Sequence, residues 1–171
     1  LGVVLAGGES RRFGSDKAAA IWRGRPLIEH AIAALSRHVD AVAIAGRGWA
    51  DVPTIVDWPS PGLGPLGGLN GALRFAAAQG HDHVLTIACD TPSLPAGLVP
   101  ILLDQTGAAA VAGAPVIGVW PVALAPTLDA WLRDNDDRSL RGWVAESGAT
   151  LIAAPAIVNI NRPEDLATLD N

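Results

Sequence analysis

The sequence predicts an α/β fold with a mostly parallel central sheet covered by helices on both faces. Three observations carry this. Short apolar runs alternate with segments of helical periodicity along the whole chain, the pattern of repeated βαβ units. The strand-like runs are nearly continuous in apolar residues, as strands buried on both faces require. The chain has 171 residues, half of them apolar, which suits one domain with a full-sized core.

Each element follows in order. Residues 1–6 are an apolar run stopped by Gly7-Gly8 and read as a buried strand. Residues 7–17 have no periodicity and are rich in Gly, Ser and charge, so they form a loop. Pro26 suits the first position of a helix running to about Arg37, with Leu27, Ile28, Ala31, Ile32 and Leu35 as its apolar stripe. Residues 41–45 and 54–56 are strands two and three, and Asp57 closes the third. A second loop, 58–65, holds three prolines and two glycines and leads into a helix over 66–78 that ends before Gly80. Residues 84–88 are the clearest strand and run into Cys89-Asp90-Thr91-Pro92. Pro95 opens a helix to about Asp104. Strands follow at 109–111 and 116–119, helices at 126–133 and 139–146, and strands at 150–152 and 157–160. A terminal helix begins at Pro163. Crossovers between the parallel strands are expected to be right-handed.

Composition removes several classes. No apolar run approaches the roughly 20 residues of a membrane-spanning helix. No signal peptide precedes the first strand, so a cytoplasmic location is expected. The chain has no Met and opens at Leu1, so the native start is expected a few residues upstream. Cys89 is the only cysteine, which excludes an intrachain disulfide and suggests no Cys-based zinc site. The net charge of −5 argues against a nucleic-acid binder held by bulk electrostatics. The charge is nonetheless uneven. Residues 1–25 hold five bases (Arg11, Arg12, Lys17, Arg23, Arg25) and two acids (Glu9, Asp16), net +3, against −8 for the rest. A small cationic patch on an acidic chain suits a compact anion.

In sheets of this kind, ligands sit outside the carboxyl ends of the strands. Three polar segments fall there: the loop after strand one, Asp57 after strand three, and Asp90 after residues 84–88. In the first, Gly7, Gly8 and Gly14 let backbone N–H groups face an anion, and Arg12 and Lys17 can add charge-assisted bonds to phosphate. The same residues also suit a solvated turn. The loop is not a P-loop, because Ala18 follows Lys17, and Gly7-Gly8 does not supply a dinucleotide fingerprint. Asp90 can hold a hard cation such as Mg²⁺ together with substrate phosphates. Taken alone, Asp90 and Asp57 are equally ordinary turn or capping residues. Asn159 and Asn161 flank Ile160 and would share one side of a strand; Asn161 also suits the cap of the terminal helix. The four histidines lack ligand spacing among themselves. No Ser-His-Asp or Cys-His set is evident, and chemistry at a phosphate can rest on positioning and charge neutralisation without one.

At this point the motifs resemble a known family. Leu5-Ala6-Gly7-Gly8-x-Ser10-x-Arg12-x-Gly14-x-Asp16-Lys17 is similar to the signature loop of the MobA-like molybdenum cofactor guanylyltransferases. Gly64-Pro65-Leu66-Gly67-Gly68 resembles their second loop, Cys89-Asp90-Thr91-Pro92 their metal-binding turn, and the segment from Asn159 to Leu166 their C-terminal motif. The resemblance implies a single MobA-like nucleotidyltransferase domain over 1–171, a three-layer α/β/α sandwich of the Rossmann-like type with one antiparallel strand. It also implies an Mg²⁺-dependent transfer of GMP from GTP to the molybdenum–molybdopterin cofactor, releasing pyrophosphate. Leu5, Ala6, Gly7 and Gly8 would then contact the nucleotide. Arg12 and Lys17 would hold phosphates, Asp57 the nucleoside and Asp90 the Mg²⁺. Asn159 and Asn161 would line the acceptor or metal side. The implied partners are GTP, the molybdopterin cofactor and, transiently, molybdoenzymes or cofactor chaperones, with no nucleic acid and no membrane. The chain departs from the family at two places. Ile44-Ala45-Gly46 stands where relatives often carry an Asn, and segments 107–118 and 150–158 are short. A CTP-dependent molybdopterin cytidylyltransferase, another NTP transferase using a phosphorylated acceptor, and a non-catalytic cofactor-delivery protein are the alternatives.

Overall fold

A computed structural model describes residues 1–7, 16–154, 157–160 and 164–165. The strands are β1 (Gly2–Leu5), β2 (Ile21–Trp22), β3 (Arg25–Pro26), β4 (Val42–Ala45), β5 (Thr54–Ile55), β6 (His83–Ala88), β7 (Ala109–Val111), β8 (Ala114–Pro121) and β9 (Thr150–Ile152). The helices are α1 (Leu27–Leu35), α2 (Gly64–Ala78), α3 (Leu98–Leu103), α4 (Ala125–Asp134) and α5 (Leu140–Ser147). Seven strands form one sheet in the order β5-β4-β1-β6-β8-β7-β9. β1 pairs in parallel with β4 on one side and β6 on the other. β8 runs antiparallel to both β6 and β7, while β7 and β9 are parallel. β8 is therefore the single reversed strand of this sheet among the described residues, as expected.

Side chains alternate across the sheet, and the two faces bury separate cores. Val3, Leu5, Ala43, Ala45 and Ile55 pack with Leu66, Leu69 and Leu73 of α2, Leu128 of α4 and Trp143 of α5. Val4, Ile44, Leu85 and Ile87 face the other way, onto Ile28, Ala31 and Leu35 of α1 and Leu98, Val99 and Leu102 of α3. This is the three-layer sandwich. The far half of the sheet also buries a polar contact. Thr86 Oγ1 donates to Val116 O (2.8 Å) and accepts from Trp120 Nε1 (3.0 Å), so neither buried polar group lacks a partner.

Three expectations need correction. Residues 157–160 form no strand. Both sides of β6 are already occupied by β1 and β8, so this segment crosses the strand ends, where Ile160 N–H donates to Asp90 O (3.2 Å). Pro26 is not the first helical residue. Its extended backbone (φ −57°, ψ 144°) closes a small antiparallel hairpin with β2 before α1 begins. The segment from Pro95 is helical only from Leu98, because Gly97 sits at φ +77°. The Pro163 helix start lies outside the described residues. The short segment 107–118 is a continuous hairpin, with β7 and β8 joined across Ala112-Gly113 and Gly113 at φ +81°.

Candidate active site

The strand order reverses at β1. The chain passes from β1 outward through β4 to β5, then returns to place β6 on the other side. Such a switch leaves a crevice at the carboxyl ends of the central strands. The residues just past β4, β1 and β6 are Gly46-Arg47, Ala6-Gly7 and Cys89-Asp90. Backbone bonds fix these ends: Ala6 N–H to Ala45 O (2.9 Å) and Cys89 N–H to Leu5 O (3.3 Å).

Lys17 is the only lysine in the chain. It opens a single 3-10 turn, Lys17–Ala19, capped by Asp16, whose Oδ1 accepts from Ala18 N–H at 3.2 Å. The Lys17 ammonium meets Asp90 Oδ2 at 2.6 Å, with only 12% and 16% of the two side chains exposed. A pair this sheltered is screened far less than a surface pair. The other carboxylate oxygen, Asp90 Oδ1, is buried and accepts no hydrogen bond among the described residues. An ionised oxygen left in that state is costly, and a hard cation would satisfy it. No cluster of three His, Cys, Asp or Glu side chains lies among the described residues. One carboxylate completed by phosphate oxygens is the donor set Mg²⁺ accepts, so the residues present fit that ion.

Asp57 follows β5 and lies over the start of α2. A Cβ built on Gly68 would stand 3.4 Å from Leu5 Cδ2 and 3.6 Å from Asp57 Oδ1, so Asp57 and the end of β1 meet across this glycine. Trp58 N–H donates to Gly67 O (3.0 Å), tying the loop to the helix. Behind it, Asn70 of α2 donates to Asp129 of α4, and Arg74 pairs with the same carboxylate while its guanidinium covers the Trp58 ring at 4.6 Å.

Of the residues singled out from sequence, Leu5 is buried at the strand end, Ala6 is half-buried and Gly7 is exposed. Lys17 and Asp90 are brought together, and Asp57 flanks Leu5 from the α2 side. Asn159 is exposed, beside Ile160, whose N–H reaches the Asp90 carbonyl. Gly8, Arg12 and Asn161 lie outside the described residues.

Sequence reasoning missed Gly46 and Arg47. Arg47 Nη1 and Nη2 contact Asp16 Oδ1 and Oδ2 at 2.5 and 2.7 Å. This two-pronged bond, more than Coulomb attraction alone, holds the Asp16 carboxyl below its ordinary range. The available signal was positional: strand two also ends at the carboxyl edge, and the residues just past it share that edge. Cys89 lies in the same corner. Burial first, then the neighbouring Asp90 charge, pushes its thiol up to about 11, so it is no thiolate nucleophile.

No helix among the described residues is long and apolar enough to cross a membrane. A family model described as the MobA-like NTP transferase domain matches residues 2–151. A molybdenum cofactor guanylyltransferase from Cereibacter sphaeroides is 40% identical, over 99% of this chain and 95% of its own. One from Rhizobium leguminosarum bv. trifolii is 38% identical, over 97% and 89%. Among solved structures, molybdopterin-guanine dinucleotide biosynthesis protein A from Archaeoglobus fulgidus matches with TM-score 0.73 at 20% identity, over 98% of this chain and 95% of that one. The 2-C-methyl-D-erythritol 4-phosphate cytidylyltransferase from Thermus thermophilus matches with TM-score 0.70 at 18% identity, over 97% and 95%. At such identities these two likenesses speak for the fold alone.

Proposed function

The chain belongs to the MobA-like NTP transferase family, and on that premise we propose that it transfers GMP from GTP to the molybdenum–molybdopterin cofactor. The products are the guanine dinucleotide form of the cofactor and pyrophosphate. The observation that carries this reading is the sheltered Lys17–Asp90 pair, with Asp90 Oδ1 buried beside it and accepting no hydrogen bond among the described residues. Nucleotidyl transfer needs cationic and metal-binding groups side by side at a phosphate site.

The roles follow from position. The backbone at Leu5, Ala6 and Gly7 lines the mouth of the crevice and receives the nucleotide. The Lys17 ammonium donates to phosphate oxygens and is kept in place by Asp90. Asp57, over the first turn of α2, accepts from the nucleoside. Asp90 would hold Mg²⁺, which when bound would supply Lewis-acid neutralisation of phosphate charge. The terminal phosphate oxygen of the acceptor forms a bond to the α-phosphorus of GTP. The α–β bridging bond breaks, and its electron pair leaves with pyrophosphate. No protein nucleophile is required, in keeping with a Cys89 thiol held neutral. Asn159, next to the segment bonded to the Asp90 turn, suits the acceptor side.

The test is pyrophosphate release with GTP, Mg²⁺ and the molybdenum cofactor, with CTP, UTP and ATP run in parallel. Lys17→Ala and Asp90→Ala are each expected to lower turnover by about 10²–10³-fold, the size of a lost transition-state charge contact, in chains that circular dichroism shows to be folded. Near-normal rates in both would sink the assignment. A preference for CTP would instead favour the cytidylyl reading, and no release with any nucleotide a binding protein.

A further inference from the structure

Gly7 and Asp16 are the last and first described residues on either side of residues 8–15, and both are held by one dipeptide on a neighbouring strand. Gly46 lies against Gly7: a Cβ built on Gly46 would stand 2.4 Å from Gly7 Cα and 2.5 Å from Gly7 N. Its backbone is at φ +93°, a conformation that favours glycine. The next residue, Arg47, grips Asp16 with both terminal guanidinium nitrogens.

Arg47 is itself braced. Gly46 N–H donates to Ile55 O (3.3 Å), which fixes the backbone before it to β5. The Trp49 ring lies 5.5 Å from the Arg47 guanidinium carbon, and Trp49 is held in a tight turn through its bridge to Val52. Isolated surface ion pairs contribute little, but a bidentate one between braced groups is the exception. Here only 29% of the Arg47 side chain is exposed, against 46% of Asp16.

Asp16 has a second contact that gives the pair a direction. The carboxylate that receives Arg47 also caps the 3-10 turn through Ala18 N–H. The first residue of that turn is Lys17, whose ammonium meets Asp90. A continuous polar path therefore runs from the end of β4, through Arg47, Asp16 and the capped turn, to Lys17 and the end of β6, around the mouth of β1.

We propose that Arg47 is a positioning residue: by clamping Asp16 it fixes the turn that presents the Lys17 ammonium to the phosphates. This rests on the phosphate role of Lys17 given above, but the positioning itself can be read without a nucleotide. Arg47 touches neither substrate nor metal in this scheme. It sets where a one-lysine protein keeps its lysine.

That single lysine makes the test direct. Protein labelled with ¹³C-lysine gives one side-chain resonance set, all of it from Lys17. In Arg47→Ala the Lys17 εCH₂ resonance is expected to move from its native position toward that of a solvated lysine, while circular dichroism and melting show a folded chain. Arg47→Gln, which keeps an amide donor but loses the charge and the fork and adds no lysine, should leave it between the two positions. Asp16→Asn, which retains an acceptor for the Ala18 cap but removes the ion pair, should move it in the same sense as Arg47→Ala. An unmoved resonance in both Arg47→Ala and Arg47→Gln overturns the proposal. So does a native resonance in Asp16→Asn when Arg47→Ala has shifted it, since Arg47 would then act by another route. Turnover adds a second arm. Arg47→Ala is expected to lower kcat/KM for GTP on the order of tenfold, as for loss of one charge-assisted contact. In a Lys17→Ala background it should cost almost nothing further, since residues acting through one group are non-additive. Full additivity would mean a merely structural role and overturns the proposal. If the native protein does not use GTP at all, the function reading fails, and the lysine resonance still decides the clamp.

Discussion

At the scale of single residues, the site depends on charges held by geometry. Asp16 illustrates this. Its carboxyl is depressed chiefly by the hydrogen bonds from Arg47. A depressed carboxyl releases its proton earlier in the folded chain than in the unfolded one. The stabilisation is therefore complete above the unfolded value of about 3.8 and is lost as pH falls through the lower folded value. In a carboxyl titration by NMR, Asp16 should titrate below 3.8 in the native protein and return toward it in Arg47→Ala. A native Asp16 midpoint at or above the ordinary value would contradict the pairing. Lys17 was legible in the sequence because it follows a glycine-containing loop, and Asp90 because it follows an apolar strand. Their contact was not, since 73 residues separate them and only the parallel pairing of β1 with β6 brings their segments together. Arg47 was harder still, because a lone Arg after a strand looks like any surface base.

At the scale of elements, the end of β4 carries the prediction. Gly46→Ala would put a methyl group into the Gly7 backbone on a residue already at φ +93°. Left-handed strain and overpacking together should cost about 2–4 kcal/mol. Thermal melting should fall accordingly, and nucleotide affinity, measured by calorimetry with GTP and Mg²⁺, should fall with it. A variant with unchanged melting and affinity would mean that β4 and the Gly7 backbone do not touch as described. Strands and helices were mostly legible because burial on two faces writes continuous apolar runs, and packing on one face writes a helical stripe. The failures are equally physical. Residues 157–160 are as apolar as a strand, but both places beside β6 were taken. β2 and β3 are too short to carry a pattern of their own, and Pro26 favours an extended backbone as readily as a helix start.

At the scale of the whole molecule, the crevice is assembled from the ends of three neighbouring strands. Successive strands in a sheet stand about 4.8 Å apart, so the spacing of Gly46, Gly7 and Asp90 is set by backbone ladders, with side chains adding the chemistry. The family pattern was visible from end to end in the sequence, since four short motifs fell in order along it. The architecture joining them, with β1 as the pivot, was not, because strand order leaves no local mark on the chain.

The ladders have a consequence for motion. Ala6 N–H and Cys89 N–H, which stand at the crevice itself, are bonded between β1 and its two neighbours, with buried cores on both faces. No small local opening can free them, because breaking either bond separates central strands. In hydrogen–deuterium exchange these two amides should therefore be among the last to exchange, at the rate of global unfolding. The amide of Ala112, bonded to Ile152 at the end of the edge strand β9, should exchange far sooner. Fast exchange at Ala6 and Cys89 would show that the crevice breathes. Slow exchange would mean that its floor persists until the molecule itself comes apart.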